Sequence, residues 1–266
     1  MSEHVPVVPA AGFGRLAGAT ALVTGSTRGL GRIIAEWLAL DGANIIVSGR
    51  EADDVSRAVA ELQETGVTVH GIPADLSVVA DMHRLAEEAL AIAPGLNILV
   101  NNAGMSTSQS FWECPDEGWD YQMNVNVRAP FVLSQHAARH WIPRGVQGRI
   151  VNVSTIGVFS AHRDKMVYNI AKAGVQAMTR NMSYELGNHQ ISVNCVAPGL
   201  VSDRPGEPPL SEEATKFAVS RIPLGRVGHA NDIAAAVRFF CLPESVWTTG
   251  QTLLVDGGMA SPMPPF

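Results

Sequence analysis

Short runs of apolar, β-branched residues alternate along the chain with longer segments whose apolar residues recur at helical spacing. The pattern predicts strands at residues 20–24, 44–48, 67–72, 96–104, 148–154, 191–199 and 251–258. It predicts helices at residues 30–42, 52–65, 78–92, 116–143, 167–187 and 229–242. Gly42 closes the first helix, and Asn231 is a possible cap of the last. Such strands are typical of a parallel sheet covered by helices on both faces. We therefore expect a single doubly wound α/β domain of the Rossmann type, with about seven parallel strands.

Two segments lack these periodicities. Residues 1–15 are rich in proline and glycine and are expected to form a flexible arm, which leaves residues 16–266 for the domain. Residues 199–214 are irregular, and a loop of that length in a compact domain is usually functional or disordered.

Composition narrows the classes of function. The net charge of −6 argues against a nucleic-acid-binding surface, and no apolar run reaches membrane-spanning length. The first residues carry no basic flank before an apolar segment, so no secretory signal is expected. Cys114, Cys195 and Cys241 are scattered, as is typical of reduced thiols in the cytoplasm. We expect a cytoplasmic protein with neither a nucleic acid nor a membrane as partner.

A glycine-rich turn, TGSTRGLG at residues 24–31, joins the first strand to the first helix. Gly25, Gly29 and Gly31 permit a tight turn and a close approach of the backbone to a pyrophosphate, and the helix offers its first amides to the phosphates. The spacing is G-x-x-x-G-x-G rather than G-x-G-x-x-G, and glycines also serve purely structural turns. The strand–turn–helix context favours a dinucleotide site.

The second strand ends in SGRE, which bears on the choice of dinucleotide. An NAD site usually carries an acidic residue there for the ribose hydroxyls, but Gly49 stands in that position. Arg50 and Arg28 are suited to a 2′-phosphate, so NADP(H) is favoured. Glu51 adds a negative charge beside Arg50, and both arginines can instead be ordinary solvated surface residues. NAD(H) is therefore kept as the alternative cofactor.

Tyr168 and Lys172 lie one helical turn apart in YNIAK. A phenol titrates near pH 10, and a neighbouring cation lowers its pKa, so the pair can act as a proton donor and acceptor. An ordinary helix surface is the alternative, because this spacing is common by chance.

With Tyr168-x-x-x-Lys172 downstream of the glycine-rich turn, the chain resembles the short-chain dehydrogenase/reductase family, in particular its ketoreductase and gluconate-dehydrogenase-like members. The resemblance covers roughly residues 16–258. NNAG at 101–104, Asn126 five residues before Phe131 and APG at 197–199 follow in the family's order. The segments IPLGRVGHANDIAAAVRFF and TGQTLLVDGG resemble its C-terminal third.

The resemblance implies catalytic roles. Tyr168 is the expected general acid/base, Lys172 lowers its pKa and binds the nicotinamide ribose, and Asn126 holds a water of the proton relay. The family's serine, thirteen residues before its tyrosine, falls on Thr155, and Ser154 precedes it, so either hydroxyl can be the catalytic one.

The implied cofactor site combines the glycine-rich turn, the second strand and the later motifs. Asp75 is assigned to the adenine, the backbone of residues 102–104 to the adenosine ribose side and residues 198–201 to the nicotinamide amide. The expected contacts are Gly25, Thr27, Arg28, Gly29, Leu30, Gly31, Arg50, Asp75, Leu76, Asn102, Ala103, Gly104, Tyr168, Lys172, Pro198, Gly199 and Val201. Asp203 stands where the family often has a threonine near the nicotinamide, and Ser202 is a possible substitute.

Other signals are weaker. His136 and His140 are four residues apart, but no third ligand is evident and no metal is expected. His162 and Arg163 can recognise an anionic or polyhydroxy substrate, with a solvated loop as the alternative. Four large apolar side chains can line a substrate pocket, although packing in the core is the ordinary role of such residues. They are Met105, Trp112, Phe159 and Trp247.

Together these features predict an NADP(H)-dependent oxidoreductase of class EC 1.1.1 that interconverts a small-molecule ketone and a secondary alcohol.

Residues 200–224 are expected to form a mobile lid over the substrate. A homotetramer or homodimer is expected, with the helices at 126–143 and 167–187 at one interface. One alternative is an NAD-dependent alcohol dehydrogenase, and another is a non-catalytic dinucleotide-binding sensor, against which the intact Tyr168 and Lys172 argue. No motif fixes the substrate.

Overall fold

A parallel sheet forms the centre of the structure, a computed structural model that describes residues 14–206 and 210–260. Its seven strands within these residues run in the order β3-β2-β1-β4-β5-β6-β7. They are β1 (Thr20–Thr24), β2 (Asn44–Gly49), β3 (Val69–Pro73), β4 (Ile98–Asn101), β5 (Arg149–Val153), β6 (Ser192–Pro198) and β7 (Thr252–Val255). The doubly wound fold predicted from the apolar pattern is confirmed. Most of the expected N-terminal arm, residues 1–13, and residues 207–209 of the expected lid lie outside the described residues.

Helices cover both faces of the sheet. They are α1 (Gly29–Leu40), α2 (Ala52–Gln63), α3 (Val79–Ile92), α4 (Asp116–Met123), α5 (Ala129–Trp141), α6 (Met166–Leu186), α7 (Glu212–Val219) and α8 (Ala230–Cys241). Because successive strand side chains point to opposite faces, Ala21 and Val23 join one apolar core with α1, α2 and α8, whereas Leu22 joins the other with α3 and α5. Each fully buried Leu, Ile or Val contributes about 1.5–3 kcal/mol.

The expected helices are present, with two corrections. The segment predicted as helical over 116–143 is interrupted by a π-helical turn at Asn124–Arg128, between α4 and α5. Part of the segment expected to be irregular is helical, because Ser211 accepts a hydrogen bond from the Ala214 amide at 3.1 Å and caps α7.

The expected cap of the last helix was also wrong. Helix α8 begins after His229, whose backbone amide donates to the Asp232 carboxylate at 2.8 Å. Asn231 lies in the first turn and instead accepts a hydrogen bond from the Trp37 indole at 2.8 Å.

The first and last helices of the fold pack together. Trp37 and Asn231 join α1 to α8 through that hydrogen bond. Arg238 of α8 also forms a bidentate pair with Asp41 at 2.6 and 3.1 Å, and Asp41 is completely buried. The N-terminal and C-terminal thirds of the chain therefore share one core.

Strand order reverses at β1, which pairs with β2 on one side and β4 on the other. In open α/β sheets, ligands bind in the crevice at the carboxyl ends of the strands at such a point. The fold thus places the glycine-rich turn after β1 and the segment after β4 side by side.

Among the described residues, every helix is too short or too polar to span a bilayer. The cytoplasmic location stays a prediction.

Candidate functional site

A cleft of about 690 Å³ opens at the carboxyl ends of the strands. It runs from the glycine-rich turn and the end of β2 to the N-terminal part of α6. All residues expected to contact the cofactor line it: Gly25, Thr27, Arg28, Gly29, Leu30, Gly31, Arg50, Asp75, Leu76, Asn102, Ala103, Gly104, Tyr168, Lys172, Pro198, Gly199 and Val201. Ser154 and Thr155 line it too, whereas Asn126 lies behind its wall.

The glycine-rich turn is shaped for a close approach. Gly25 and Gly29 have positive φ angles of 63° and 60°, which disfavour any residue with a Cβ. A Cβ on Gly31 would collide with the Gly25 carbonyl oxygen and the Asn102 amide nitrogen. The turn therefore carries no side chain at these three glycines, as a close approach to a pyrophosphate requires, and the Gly29 amide donates to the Pro205 carbonyl at 2.7 Å.

The segment after β4 is fastened to this turn. The Thr24 hydroxyl accepts hydrogen bonds from the backbone amides of Asn102 and Ala103, both at 3.0 Å. The Asn102 side chain in turn donates to the Thr24 carbonyl at 2.9 Å. Asn102 thus supports the turn through its side chain as well as lining the cleft.

The far end of the cleft, beyond β2, carries charges of both signs. Arg28, Arg50 and Asp75 lie here as expected, and the Asp75 carboxylate is held by the amide and hydroxyl of Ser77 at 2.9 and 2.8 Å. Arg50 forms an ion pair with Glu51 at 2.8 Å. Thr27 fills the space beside Gly49, since a Cβ there would lie 2.6 Å from the Thr27 methyl carbon.

Lys172 and Tyr168 stand at the other end of the cleft. Lys172 is buried, and its Nζ donates to the Val153 carbonyl at 2.9 Å and lies 5.9 Å from the centre of the Tyr168 ring. Burial lowers the pKa of Lys172 to about 8.

The expected effect of Lys172 on the pKa of Tyr168 is not found. Burial raises the pKa of the Tyr168 phenol, and the opposing positive charge is that of Arg204. The Lys172 ammonium is instead directed to the Val153 carbonyl.

Asn126 lies in the π-helical turn and is fully buried. Its side-chain nitrogen donates to the carbonyls of Met105 and Gln122 at 2.7 and 2.8 Å, and its side-chain oxygen accepts from the Met105 amide at 3.1 Å. A Cβ on Gly104 would lie 3.1 Å from Lys172 Nζ and 3.2 Å from Asn126 Oδ1. Asn126 therefore fixes the segment after β4 against Lys172.

The two adjacent hydroxyls have different surroundings. Ser154 is buried; its hydroxyl donates to the Lys172 carbonyl at 3.0 Å and accepts from Gln176 at 3.2 Å. Thr155 is half-buried, and its hydroxyl oxygen accepts from the Gly157 amide at 3.1 Å. Within the part of the chain that the structure describes, the Thr155 proton has no acceptor.

Asp203 and Ser202 turn away from the cleft. The Asp203 carboxylate contacts His229 Nδ1 at 3.1 Å and accepts from the Ala230 amide at 3.0 Å, at the start of α8. The Ser202 hydroxyl donates to the Gly228 carbonyl at 3.3 Å. Neither side chain supplies the hydroxyl that the resemblance implies at the nicotinamide.

Several weaker candidates lie apart from the cleft lining. His162 and Arg163 are exposed, and His162 contacts the Ser160 hydroxyl at 2.8 Å. Trp112, Phe159 and Trp247 are exposed, and of the four apolar candidates Met105 alone lines the cleft.

The two helix histidines point in different directions. His136 pairs with His83 of α3 at 2.9 Å, and His140 contacts the Pro94 carbonyl at 2.9 Å. No cluster of three or more metal-ligating side chains occurs in residues 14–206 and 210–260. That the protein needs no metal stays a prediction.

Sequence reasoning missed Arg204, whose side chain lines the cleft near Tyr168. No motif contains it, and its place in the irregular segment 199–214 was the one available signal. Tyr121 and Asp54 were also missed at the cleft wall.

Comparison with known proteins gives concordant matches. A family model described as "Enoyl-(Acyl carrier protein) reductase" matches residues 25–260. The 3-oxoacyl-(acyl-carrier-protein) reductase FabG of Aquifex aeolicus is 35% identical over 247 residues, covering 92% of this chain and 98% of that protein. Dehydrogenase/reductase SDR family member 4 of Bos taurus is 36% identical over 246 residues, covering 91% and 87%. A solved structure of a blue fluorescent protein from a metagenomic library, in complex with NADPH, superposes with a TM-score of 0.85 at 32% identity, covering 93% of this chain and all of that one.

Proposed function

The chain belongs to the short-chain dehydrogenase/reductase family and is an oxidoreductase, and on that basis we propose that it interconverts a ketone and a secondary alcohol with NADP(H). One observation carries the proposal. A single cleft joins a bare glycine-rich turn to a phenol, a buried ammonium and a hydroxyl, which are Tyr168, Lys172 and Thr155. The relatives support it, since one is named a reductase and one neighbour was solved with NADPH.

The cleft residues fit a dinucleotide. The glycine-rich turn packs so closely that a Cβ on Gly31 would collide with Gly25 and Asn102, and it leads directly into α1, whose N-terminus suits the phosphates of a dinucleotide. When bound, the nicotinamide supplies or accepts the hydride. Asp75 and Leu76 would hold the adenine, residues 102–104 the adenosine ribose side, Lys172 the nicotinamide ribose, and Pro198, Gly199 and Val201 the nicotinamide amide.

Tyr168 is the proposed general acid/base. Its raised pKa keeps the phenol protonated near neutral pH, so it can donate a proton to the oxygen on which negative charge grows during reduction. Lys172, with a pKa of about 8, is mostly cationic at pH 7 and stabilises that charge. Asn126 holds the segment after β4 in place, and it lines no part of the cleft itself.

Thr155 is the proposed second hydroxyl at the reacting oxygen. Its proton is uncommitted within the described residues, so it can donate to the oxygen that gains charge. Ser154 donates its proton to the Lys172 carbonyl and therefore positions α6.

NADP(H) is favoured by the end of the cleft beyond β2. Gly49 replaces the usual acidic residue, Thr27 occupies the space such a residue would need, and two arginines border the site. The ion pair of Arg50 with Glu51 offsets part of the positive charge and is the observation that keeps NAD(H) as the alternative cofactor.

Residues 200–224 are the proposed lid. Leu200, Val201 and Arg204 line the cleft, and the Pro205 carbonyl accepts a hydrogen bond from the Gly29 amide at 2.7 Å. The lid thus reaches the glycine-rich turn across the cleft.

A homotetramer or homodimer is proposed as well. Phe131 of α5 and Ile170 of α6 are exposed on the two helices expected at an interface. Exposed large apolar side chains on these helices support a contact between subunits.

Tyr168→Phe tests the function. NADPH oxidation is followed with a panel of ketones, and NADPH binding is followed by fluorescence. The variant should bind NADPH almost as the wild type does and lose about 10²–10⁴-fold in kcat, since the proton at the reacting oxygen is gone. Tyr184→Phe is the matched control, because it removes the same hydroxyl from an exposed position on the same helix. Retention of more than about a third of kcat, with chemistry rate-limiting, would contradict the role of Tyr168.

A further inference from the structure

Tyr121 of α4 lines the end of the cleft beyond β2, and the proposed reaction leaves it without a role. It is half-buried, and its phenol lies within electrostatic reach of the Arg50 guanidinium, as the Asp75 carboxylate does. Val125, about one helical turn further along the chain, lines the cleft as well. The end of α4 therefore presents an aromatic and an apolar side chain to this end of the cleft.

This part of the chain is fixed to the segment after β3. The Asn124 side chain donates to the Ser77 carbonyl at 3.0 Å. Ser77 in turn donates through its amide and its hydroxyl to the Asp75 carboxylate, at 2.9 and 2.8 Å. Asp75 and Leu76 line the cleft, so the end of α4 and the segment after β3 form neighbouring walls of one site.

The two walls suit a flat base. Leu76 and Val125 are buried apolar side chains, and the Asp75 carboxylate can accept a hydrogen bond from an exocyclic amine. Within the part of the chain that the structure describes, the Tyr121 hydroxyl makes no hydrogen bond, and no other ring or cation stacks on its ring. An aromatic side chain left open at a binding cleft is suited to the face of a base.

Strand order places this end opposite the reacting groups. The glycine-rich turn follows β1, which lies between β2 on one side and β4 with β5 on the other. Tyr168 and Lys172 lie on the β5 side, because Lys172 donates to the Val153 carbonyl at the end of β5. With the phosphates at the turn and the nicotinamide beside Tyr168, the adenosine half of a dinucleotide reaches the end beyond β2.

We propose that the Tyr121 ring packs against the adenine base and thereby sets much of the affinity for the adenosine half of the cofactor. The inference deepens the proposed function and rests on its dinucleotide site. The ring rather than the hydroxyl is the expected contact, because Leu76 and Val125 make the surrounding wall apolar. Tyr121 belongs to none of the motifs by which Asp75 and Leu76 were assigned to the adenine.

The experiment measures dissociation constants by calorimetry for NADPH, NADH and adenosine 2′,5′-bisphosphate, with the wild type, Tyr121→Leu and Tyr121→Phe. Leucine removes the ring but keeps apolar bulk and helix propensity. Tyr121→Leu should weaken all three ligands by a similar factor, about 5–10²-fold, the range typical of base–aromatic stacking. Tyr121→Phe keeps the ring and should stay within about threefold of the wild type.

Two controls separate stacking from a structural role of α4. Trp119→Leu removes an exposed aromatic side chain from the same helix, outside the cleft lining, and should leave all three dissociation constants unchanged. Reduced nicotinamide mononucleotide lacks the adenosine half of the cofactor. Its affinity, measured by competition with NADPH, should therefore be the same in Tyr121→Leu and in the wild type.

Three outcomes would overturn the role of the ring: an unchanged affinity in Tyr121→Leu, a loss that extends to the mononucleotide, or a wild type that binds none of the adenosine ligands. A loss in Tyr121→Phe equal to that in Tyr121→Leu would also overturn it. The contact would then belong to the hydroxyl, and to the 2′-phosphate if NADH is spared. Failure to reduce any ketone would reject the proposed function alone, since the binding data decide the inference without turnover.

Discussion

At the scale of single residues, Lys172 is an ammonium group buried at an electrostatic cost. Its side chain is 3% exposed, and the ammonium has one backbone carbonyl as its bonded partner within the described residues. Burial lowers its pKa from 10.5 to about 8, so the unfolded chain binds this proton more tightly than the folded chain does. The buried charge therefore lowers the free energy of unfolding by its full amount below pH 8. This destabilisation disappears as the pH rises from 8 to 10.5.

Lys172→Met should therefore raise the free energy of unfolding at pH 7, by at most about 3 kcal/mol at 1.4 kcal/mol per pKa unit. The advantage over the wild type should shrink between pH 8 and pH 10.5. Urea unfolding of both proteins at several pH values measures the difference between their unfolding free energies. The titration of all other groups largely cancels in this difference. If the difference in unfolding free energy between variant and wild type did not depend on pH, burial would not lower the pKa of Lys172.

The two hydroxyls after β5 should separate catalysis from stability. Thr155→Val should cost about 10²–10³-fold in kcat, as for one lost donor to an oxyanion, with a small change in melting temperature. Ser154→Ala should keep kcat within a fewfold and lose about 1 kcal/mol of stability, because its buried hydrogen bond to the Lys172 carbonyl disappears. The assignment is reversed if Ser154→Ala abolishes turnover and Thr155→Val preserves it.

Thr27 should control whether the cofactor preference can be changed. Gly49→Asp alone should fail to create an NADH site, since its Cβ would lie 2.6 Å from the Thr27 methyl carbon. In the double variant with Thr27→Ala that contact is relieved, and the carboxylate should bind a ribose hydroxyl and repel a 2′-phosphate. Dissociation constants of NADH and NADPH for the two single variants and the double variant check this. If Gly49→Asp alone changed the preference from NADPH to NADH as much as the double variant does, Thr27 would not control the cofactor preference.

At the scale of elements, the N-terminus of helix α8 is capped by His229 with Asp232, and a distant residue, Asp203, adds a further acceptor. Asp203 accepts from the Ala230 amide, contacts His229 and occupies the left-handed region at φ 52°. An aspartate tolerates that region and stabilises a helix start through its charge. The position where the family often has a threonine is here occupied by a residue that anchors the lid to α8.

Asp203→Ala should lower the free energy of unfolding by about 1–2 kcal/mol, since the Ala230 amide loses its acceptor and alanine is strained at positive φ. Asp203→Asn should cost clearly less, because asparagine keeps an acceptor and tolerates the same backbone conformation. Urea denaturation at constant pH measures both variants. Equal losses would mean that the charge, rather than the cap geometry, stabilises α8.

Periodicity predicted the helices but not their irregularities. The π-helical turn at Asn124–Arg128 adds one residue to a turn that is otherwise helical, and the apolar spacing around Asn126 does not reveal it. Helix α7 was missed because its segment is rich in polar residues and prolines, although Ser211 was a readable start signal. The cap of α8 was assigned wrongly because the N-cap is His229, a residue type outside the usual cap set, which is paired with Asp232 in a capping box.

At the scale of the whole molecule, the candidate site could be located from sequence because parallel strands end at one edge. The glycine-rich turn, the segment after β4 and Tyr168 with Lys172 are far apart in the chain, yet each follows or faces a strand end. Loop geometry was not predictable in the same way. The directions of Asp203, Ser154 and Arg204 depend on backbone turns and partners that no residue pattern encodes.

The packing of α1 against α8 has a consequence for the order of synthesis. Trp37 and the buried Asp41 precede their partners Asn231 and Arg238 by 194 and 197 residues. A chain emerging from the ribosome therefore carries the apolar face of α1 without its partner helix until α8 has been made. The packing of α1 is thus completed late in synthesis, and the intermediate that precedes it exposes the kind of surface that aggregates or recruits chaperones.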